Sequence, residues 1–270
     1  MEFRSALVRI LGFPATLIHG DTLVLDRWLW LRKRLVAVQP ESRNLLDVGC
    51  GTGAFTIGAA RLGYRSIGLS WDARNQRVAQ ERAKICGAEG AEFQIQDVRQ
   101  LDKRNDLNGN FDVAICCECI EHILDDGKVM RDIARCLKPG GTLLLTAPNS
   151  CFRPMAFDNE VLATVENGGH VRRGYVPEDL MRLCKGSGFE VAAVEYCSGL
   201  LSQKITSLMR IATNLTSDLI GWPFFLPLRW IPPVFDRGVS RLTHWPDYSI
   251  ALVARKANSQ PNVTPDTVKE

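Results

Sequence analysis

Short apolar runs alternate with longer stretches of helical character along the middle of the chain. The runs that indicate buried strands are 44–48, 66–69, 92–96, 111–116 and the residues from Thr142 to Leu145. Between them, Ala73–Ile85 and Asp125–Leu137 carry charged residues at helical spacing. Apolar runs of this length, bounded by turn residues, are typical of strands in a parallel sheet. The pattern therefore predicts an α/β fold.

The chain on either side of these runs is predicted to add helices, one insertion and a polar tail. Residues 1–43 are predicted to form a helical cap, in which Asp26–Val36 is an amphipathic helix. The main domain is predicted at 44–256, with a loop-rich excursion at 150–176. The later elements are a helix at Pro177–Gly186, strands at 189–196 and 248–255, an insertion between those strands at 198–247, and a disordered tail at 257–270.

The most informative segment is the end of the first strand, where 45–53 read Leu-Leu-Asp-Val-Gly-Cys-Gly-Thr-Gly. Gly49, Gly51 and Gly53 permit φ > 0 and leave no Cβ to block a ligand. The helix predicted from Ala54 would direct its N-terminus at that ligand. This arrangement indicates a nucleotide-type pocket at the C-terminal end of the first strand.

The glycines alone do not identify the ligand, because they also satisfy the dinucleotide fingerprint Gly-x-Gly-x-x-Gly/Ala. Asp97 follows the third strand, and Lys138-Pro139-Gly140-Gly141 leads into the fifth. In this order the segments resemble the class I S-adenosylmethionine (SAM)-dependent methyltransferases over residues 40–197, nearest to the ubiquinone-biosynthesis O-methyltransferase group. The resemblance implies a Rossmann-like fold whose sheet is mostly parallel with an antiparallel edge strand, and SAM as cofactor.

The resemblance also implies which residues meet SAM. An acidic residue usually ends the second strand in this family and binds the ribose hydroxyls, but Ser70 stands there and offers one hydroxyl contact. Asp72 either reaches the ribose or caps the helix that begins at Ala73. Asp97 matches the carboxylate that accepts from the adenine amino group. The residues expected at the cofactor are Arg27, Asp47, Gly49, Cys50, Gly51, Gly53, Ser70, Trp71, Asp97, Val98 and Cys117.

The candidate chemical site is Glu-Cys-Ile-Glu-His at 118–122, directly after the fourth strand. The form Glu-x-x-Glu-His resembles two groups of class I methyltransferases that use it for a divalent metal. These are the ubiquinone-biosynthesis O-methyltransferases and the small-RNA 2′-O-methyltransferases, which add a histidine after the fifth strand. The implied ligands of an ion such as Mg²⁺ are Glu118, Glu121, His122 and His170. Such an ion would lower the pKa of an attacking hydroxyl.

Two other interpretations of the same residues stay open. Glu121 and His122 also fit the start of a helix followed by a hydrogen-bonded core histidine, with no metal. In the third interpretation His122 or His170, with Glu121 beside them, acts as general base toward a hydroxyl or an amine.

The insertion contains an unusually apolar stretch, 219–235, whose prolines prevent a regular spanning helix. It either folds over the active site as a hydrophobic lid, which we favour, or lies on a membrane surface and admits a lipid-soluble substrate. In the second case the peripheral contact is expected at 215–235.

Composition limits the possible classes of partner and the cellular compartment. The 270 residues are 46% hydrophobic and carry a net charge of +3, which is too even to indicate nucleic acid by itself. The nine cysteines lack zinc spacing and suit free thiols in a reducing cytoplasm. No signal peptide or membrane-spanning helix is predicted.

Together these features predict a cytoplasmic SAM-dependent methyltransferase that acts on a small or lipidic acceptor, at oxygen. An RNA 2′-O-methyltransferase and a non-catalytic SAM-binding protein are the alternatives.

Overall fold

Seven strands form a single sheet at the centre of the chain. The computed structural model describes residues 3–18, 22–35, 43–158, 161–216 and 227–257. The strands are β1 Asn44–Val48, β2 Arg65–Ser70, β3 Ala91–Ile95, β4 Phe111–Cys117, β5 Leu137–Pro148, β6 Phe189–Cys197 and β7 Ser249–Lys256. Their order across the sheet is β3-β2-β1-β4-β5-β7-β6.

Helices precede, connect and follow these strands. They are α1 Phe3–Leu11, α2 Phe13–Ile18, α3 Thr22–Arg32, α4 Ala54–Arg61, α5 Ala73–Ile85, α6 Asp126–Cys136, α7 Pro177–Gly186, α8 Leu200–Leu215 and α9 Pro232–Thr243. Short 3₁₀ turns lie at Val98–Lys103, Asn105–Leu107, Ile120–His122 and Pro227–Trp230.

The direction of the strands confirms the predicted Rossmann-like architecture. Strands β3, β2, β1, β4 and β5 run parallel, whereas β7 pairs antiparallel with both β5 and β6 next to the sheet edge. The chain moves outward from β1 to β3 and then crosses back to β4 on the other side of β1. In open α/β sheets a ligand cleft lies where the strand order reverses, at the C-terminal ends of the strands.

The apolar runs are buried because helices cover both faces of the sheet. Leu45, Leu46 and Val48 in β1 are buried, as are Ala114 and Ile115 in β4. One core cluster joins the strands to α6 and α7, and a second joins them to α2, α3 and α4. Strands buried on both sides have near-continuous apolar sequences, which is why the pattern along the chain located them.

Most predicted elements begin and end within a few residues of the observed ones, and two helices have the predicted bounds, Ala73–Ile85 and Pro177–Gly186. The predicted turn at 138–141 was wrong, because β5 begins at Leu137 and includes these residues at a register shift against β4. The predicted start of the N-terminal helix at Asp26 was wrong, because α3 begins at Thr22. Leu23 and Leu25 are buried in addition to the predicted apolar face. The helix is therefore apolar on more than one side, and a search for one amphipathic stripe misses its first turn.

Helices α8 and α9 are the described part of the insertion at 198–247. Helix α8 packs on α3, and α9 packs on α8. Residues 217–226, which hold much of the apolar stretch predicted as a lid or membrane segment, lie outside the described residues. So do residues 258–270 of the tail predicted to be disordered. None of the described helices is both long and apolar enough to cross a membrane.

Candidate active site

A cleft of about 320 Å³ opens at the C-terminal ends of β1, β2 and β4. The segments that follow β1, β2, β3 and β4 form its walls, and the loop after β5 adds Glu166 and Gly168. Its lining includes Gly49, Gly51, Ser70, Trp71, Asp97, Val98, Glu118 and His122. The cleft thus lies where the topology predicts a ligand.

The three glycines after β1 have different roles. Gly51, with a φ of 52°, lines the cleft, and a Cβ added there would meet no heavy atom within 4 Å. At Gly53, with a φ of 80°, an added Cβ would lie 2.6 Å from the Phe93 ring. At Gly49 it would lie 2.6 Å from Sγ of Cys119. Gly51 therefore leaves room for a ligand, whereas the other two let the loop pack on the protein.

Asp47 supports this loop from behind. Its side chain is buried and accepts a 2.7 Å hydrogen bond from Oγ1 of Thr56 in α4. Burial raises the pKa of the Asp47 carboxyl from 3.8 to about 7. The observed role of Asp47 is to tie β1 to α4, and the predicted contact with the cofactor stays a prediction.

The end of β2 brings three predicted residues to the cleft. Ser70 and Trp71 line it, and Trp71 is largely exposed. Asp72 also lines it, and its Oδ1 accepts from the backbone N–H groups of Arg74 at 2.7 Å and Asn75 at 3.4 Å. Of the two roles predicted for Asp72, the helix cap is observed, and contact with a ribose stays a prediction.

An ion-pair chain that the sequence did not reveal closes one side of the cleft. Nη2 of Arg99 lies 2.6 Å from Oδ2 of Asp97, and Nη1 of Arg99 lies 2.8 Å from Oε2 of Glu166. Glu166 also accepts from the N–H of Leu124 at 2.6 Å. These contacts with Arg99 lower the pKa of Asp97 and of Glu166. Glu166 is 67 residues from Arg99 along the chain, so no local pattern could have paired them.

Of the other predicted cofactor residues, one lines the cleft and two lie in the core. Val98 is buried and lines the cleft. Cys50 and Cys117 belong to core clusters and are not among the lining residues. Their sequence neighbours Gly51 and Glu118 do line it, so backbone contact is what the two cysteine positions can offer a ligand.

Glu118 is held in the wall of the cleft by three partners. Its φ of 48° lies in the left-handed region, which is uncommon for a residue with a side chain. Oε1 accepts from Thr146 at 2.9 Å and from Ser249 at 3.0 Å, and Oε2 lies 3.3 Å from Nη2 of Arg27. Arg27 is buried, and its guanidinium lies 6.0 Å from the ring centroid of Tyr248.

Three of the four predicted metal ligands come together. One ligand atom each from Glu121, His122 and His170 lies within 4.8 Å of the others. The two imidazole rings meet edge to face with centroids 4.6 Å apart, and Nε2 of His122 lies 3.8 Å from Oε1 of Glu121. Glu118 is not in this group, because its carboxylate is bound to Arg27. The four-ligand set stays a prediction, with Glu118 as its outlying member.

Backbone contacts hold this cluster together across a long stretch of sequence. The N–H of Val171 donates to the carbonyl of Glu121 at 3.0 Å, and Nδ1 of His122 lies 3.1 Å from the carbonyl of Gly169. The loop after β5 is thereby fastened to the 3₁₀ turn after β4, which places His170 beside His122.

The Glu121 carboxylate is fully buried, and neither oxygen has a hydrogen-bond partner within the described part of the chain. Burial, reinforced by the charge of Glu118, raises its pKa well above 4.5. Burial, followed by the proximity of His122, lowers the pKa of His170. A buried carboxyl without a partner carries a free-energy cost that a cation or a proton would relieve.

Residues 24–194 match a family model described as a methyltransferase domain. A protein from Xanthomonas oryzae pv. oryzae named ubiquinone biosynthesis O-methyltransferase is 35% identical over 190 residues, which cover 66% of this chain and 74% of the relative.

Solved structures share the fold. A putative sarcosine dimethylglycine methyltransferase from Galdieria sulphuraria is similar with a TM-score of 0.59 at 14% identity, over 87% of each chain. Phosphoethanolamine N-methyltransferase 2 of Haemonchus contortus, in complex with S-adenosyl-L-methionine, gives a TM-score of 0.57 at 21% identity and covers 95% of this chain and 60% of that one. At these identities the similarity shows the fold alone.

Proposed function

This chain belongs to the SAM-dependent methyltransferases, and we propose that it transfers the methyl group of SAM to an oxygen of a small, lipidic acceptor. The observation that carries the proposal is the unpartnered Glu121 carboxyl beside two imidazoles, close to the cleft. The names of the relatives, ubiquinone biosynthesis O-methyltransferase, support oxygen as the methylated atom.

SAM is proposed to occupy the cleft between the glycine loop and the turn after β3. The backbone at Gly51 leaves the space that the methionine end needs, and the Asp97 carboxylate would accept from the adenine amino group. Trp71 stands at the cleft mouth, where its ring would cover the adenine. Arg27, already beside Glu118, is the proposed partner of the SAM carboxylate.

The acceptor hydroxyl is proposed to lose its proton to His122 or His170. If Nδ1 of His122 carries the hydrogen and donates it to the carbonyl of Gly169, its Nε2 keeps a free lone pair. The lowered pKa of His170 keeps that imidazole neutral, and therefore able to accept a proton, at neutral pH. Methyl transfer then depends on in-line placement of the oxygen against the activated donor.

A divalent cation fits the same three side chains. Two imidazoles and one carboxylate suit an ion that tolerates nitrogen, whereas Mg²⁺ prefers oxygen ligands. Glu121, His122 and His170 would hold the cation, which would lower the pKa of an acceptor hydroxyl bound to it. The positive charge of the cation would also stabilise the ionised form of the buried Glu121 carboxyl.

The names of the relatives support a lipidic acceptor, and an apolar cluster adjoins the site. Leu23, Phe152, Met155 and Tyr248 form a separate buried cluster. Tyr248 lies under the Arg27 guanidinium, which itself contacts Glu118 in the cleft wall. These four side chains are buried and do not line the cleft, so a hydrophobic tail would contact them only if this side of the site opened.

The test is turnover by Glu121→Gln, with Glu166→Gln as a matched control in the same cleft. We expect Glu121→Gln to lose about a hundredfold or more in kcat while its calorimetric affinity for SAM stays unchanged. Glu166→Gln should keep most of kcat. Normal turnover by Glu121→Gln over a panel of hydroxylated aromatic and lipidic acceptors would exclude Glu121 as a metal ligand. Normal turnover by His122→Gln/His170→Gln as well would refute the proposed site.

Treatment with a chelator distinguishes a histidine general base from a bound metal ion. Activity of the wild-type protein that survives EDTA leaves the histidines as general base. Activity lost in EDTA and restored by Mn²⁺, Zn²⁺ or Mg²⁺ assigns the three side chains to a metal.

The second candidate function is 2′-O-methylation of RNA, and the observation in its favour is that His170 joins Glu121 and His122. Salt-sensitive binding of RNA oligonucleotides with methyl incorporation would establish it. Turnover of lipidic acceptors without RNA binding would exclude it.

A further inference from the structure

A second cleft, of about 590 Å³, opens between α3, the end of β6 and α9. Among the described residues it shares no lining residue with the first cleft, which lies beside the glycine loop. Asp26 and Arg27 are consecutive in α3, but Asp26 lines the second cleft, whereas Arg27 contacts Glu118 in the wall of the first. The second cleft has the size of a small-molecule pocket, about 300–1,000 Å³, and the proposed methyl transfer does not use it.

The buried side of the second cleft carries polar atoms without partners. Within the described part of the chain, Oδ2 of Asp26, Oγ of Ser198 and Oγ of Ser202 are buried and have no partner at normal hydrogen-bond geometry. Asp26 and Ser198 line the cleft, and Ser198 is only 4% exposed. Such atoms carry a free-energy cost that a ligand with matching donors would remove.

The same side of the cleft is acidic. Burial, to which the charge of Asp236 adds, raises the pKa of Asp26 from 3.8 to about 7, although the nearby hydroxyls of Ser198 and Ser202 lower it. Burial and the charge of Asp236 also raise the pKa of Asp247, another lining residue, to about 6. Both carboxyls therefore lie where a positive charge would be favourable.

Asp236 itself already has partners. It is on the inward side of α9, and its carboxylate accepts from the N–H of Gly199 at 2.8 Å and of Leu201 at 2.7 Å. These N–H groups belong to the start of α8 and have no partner within their own helix. Asp236 thus holds α8 in place, and the carboxylate left to receive a ligand on α3 is that of Asp26.

The mouth of the second cleft is basic. Lys33, Arg237 and Arg241 line it and are exposed. Arg34 lines it too, but its guanidinium is paired with Glu195. The charges are therefore sorted by depth, with carboxylates on the buried side and cations at the opening. A matching ligand has its cation inward, and an anionic group at its other end would meet the exposed cations.

We propose that the second cleft binds a small organic ammonium ligand, with its cationic head against Asp26 and Ser198. A primary ammonium has three N–H donors and no acceptor, while an ionised carboxylate and a hydroxyl together offer more than three acceptor sites. The ammonium would also stabilise the ionised form of Asp26. A divalent metal ion suits these groups less well, because Ser198 contributes no charge.

The experiment is calorimetric titration of the full chain with three matched probes, 4-aminobutyrate, butylammonium and butyrate. At about pH 8 the Asp26 carboxyl is mostly ionised, and an alkylammonium, whose pKa is about 10.4, keeps its proton. We expect both amines to bind, 4-aminobutyrate more tightly, and butyrate not to bind. Saturating SAM should leave the affinity for both amines unchanged, because the two clefts are separate.

Variants locate the ammonium within the cleft. Asp26→Asn should lower the affinity for both amines by at least about tenfold, and Ser198→Ala by about threefold or more. Glu195→Gln is the matched control, because Glu195 lines the same cleft but is already paired with Arg34, and it should bind both amines normally. An unchanged thermal unfolding midpoint without ligand shows that a variant is folded.

Four results would overturn the proposal. They are the absence of binding by both amines, binding of butyrate as tight as that of butylammonium, competition between the amines and SAM, and unchanged amine affinity in Asp26→Asn. Competition with SAM would place the amines in the first cleft. A loss in Glu195→Gln equal to that in Asp26→Asn would count against it as well, because the ammonium would then have no particular partner in Asp26.

Discussion

The two ends of the active site are built in different ways. The side proposed to bind the cofactor comprises β1 to β3 with α4 and α5, and it is held by short-range contacts such as the Asp47–Thr56 hydrogen bond and the Asp72 cap of α5. The side proposed to bind the acceptor comprises the described residues of 150–176 and of the insertion at 198–247, and side chains far apart in sequence hold it together. Arg210 pairs with Asp158, for example, 52 residues away.

This difference shows where each kind of specificity resides. A glycine loop at the end of a strand accommodates a cofactor through backbone shape, which few residues can change. An acceptor surface assembled from distant segments can be altered without disturbing that backbone. We therefore expect substitutions on the two sides to have separable effects on SAM binding and on acceptor turnover.

The largest effect should come from Gly51→Arg on the cofactor side. An added side chain at this position points into open space that the ligand needs. We expect the affinity for SAM, measured by isothermal calorimetry, to fall by at least about a hundredfold, or about 2.7 kcal/mol.

The control is Gly109→Arg, because Gly109 also has a positive φ and open space at its Cβ position but does not line the cleft. It should bind SAM normally. Unchanged affinity in Gly51→Arg would refute the cofactor assignment, and equal loss in both variants would attribute the effect to backbone strain.

Two carboxylates that accept hydrogen bonds at helix N-termini, Asp236 and Asp72, allow the two sides to be perturbed one at a time. Asp236→Ala removes the acceptor of several N–H groups at the start of α8 and should destabilise the insertion by about 2 kcal/mol. We expect faster proteolysis within 198–247 and lower turnover, with SAM affinity retained. Asp72→Ala should instead weaken SAM binding by a few-fold, because Asp72 caps α5 at the cleft wall. Loss of SAM binding in both variants would mean that the two sides fold as one unit.

The protonation of Asp47 should make stability depend on pH. Its folded-state pKa, about 7, exceeds the ordinary value of 3.8, so the folded state binds the proton more tightly. The stabilisation from this group is complete below about pH 4 and is lost as pH rises through about 7. Asp47→Asn should flatten that decline by about 1–2 kcal/mol in urea unfolding at a series of pH values.

Removing the hydrogen-bond partner of Asp47 should change the pH dependence of stability in the opposite direction. The hydrogen bond from Thr56 lowers the Asp47 pKa, so Thr56→Val should raise it further and steepen the decline. A wild-type protein whose stability is flat across this window would contradict the account of Asp47.

The smallest effect is expected at the edge of the cleft. Glu166→Gln weakens a partly exposed ion pair with Arg99, and such pairs contribute little. We expect SAM affinity to change by about twofold. Asp106→Asn, which removes a comparable pair with Arg104 away from the cleft, should have no effect on SAM. A tenfold change in Glu166→Gln would mean that the loop after β5 closes on the bound cofactor.

Sequence alone was sufficient for the sheet and the cofactor loop. A strand buried on both faces must be largely apolar, and a turn that passes close to a ligand must lack side chains. Both requirements can therefore be recognised from a few consecutive residues. The motif at 118–122, with Glu121 and His122, was likewise visible, and so was the more distant His170.

Only the tertiary structure decided how these residues are used. It directs Glu118 to Arg27, Thr146 and Ser249, partners up to 131 residues away, and joins Asp97 to Glu166 through Arg99. It also decides which side of α8 and α9 faces inward. Periodicity reveals that a helix has an apolar side, but the neighbouring elements determine whether that side meets the core or the solvent, because burial depends on contacts between segments that are distant in sequence.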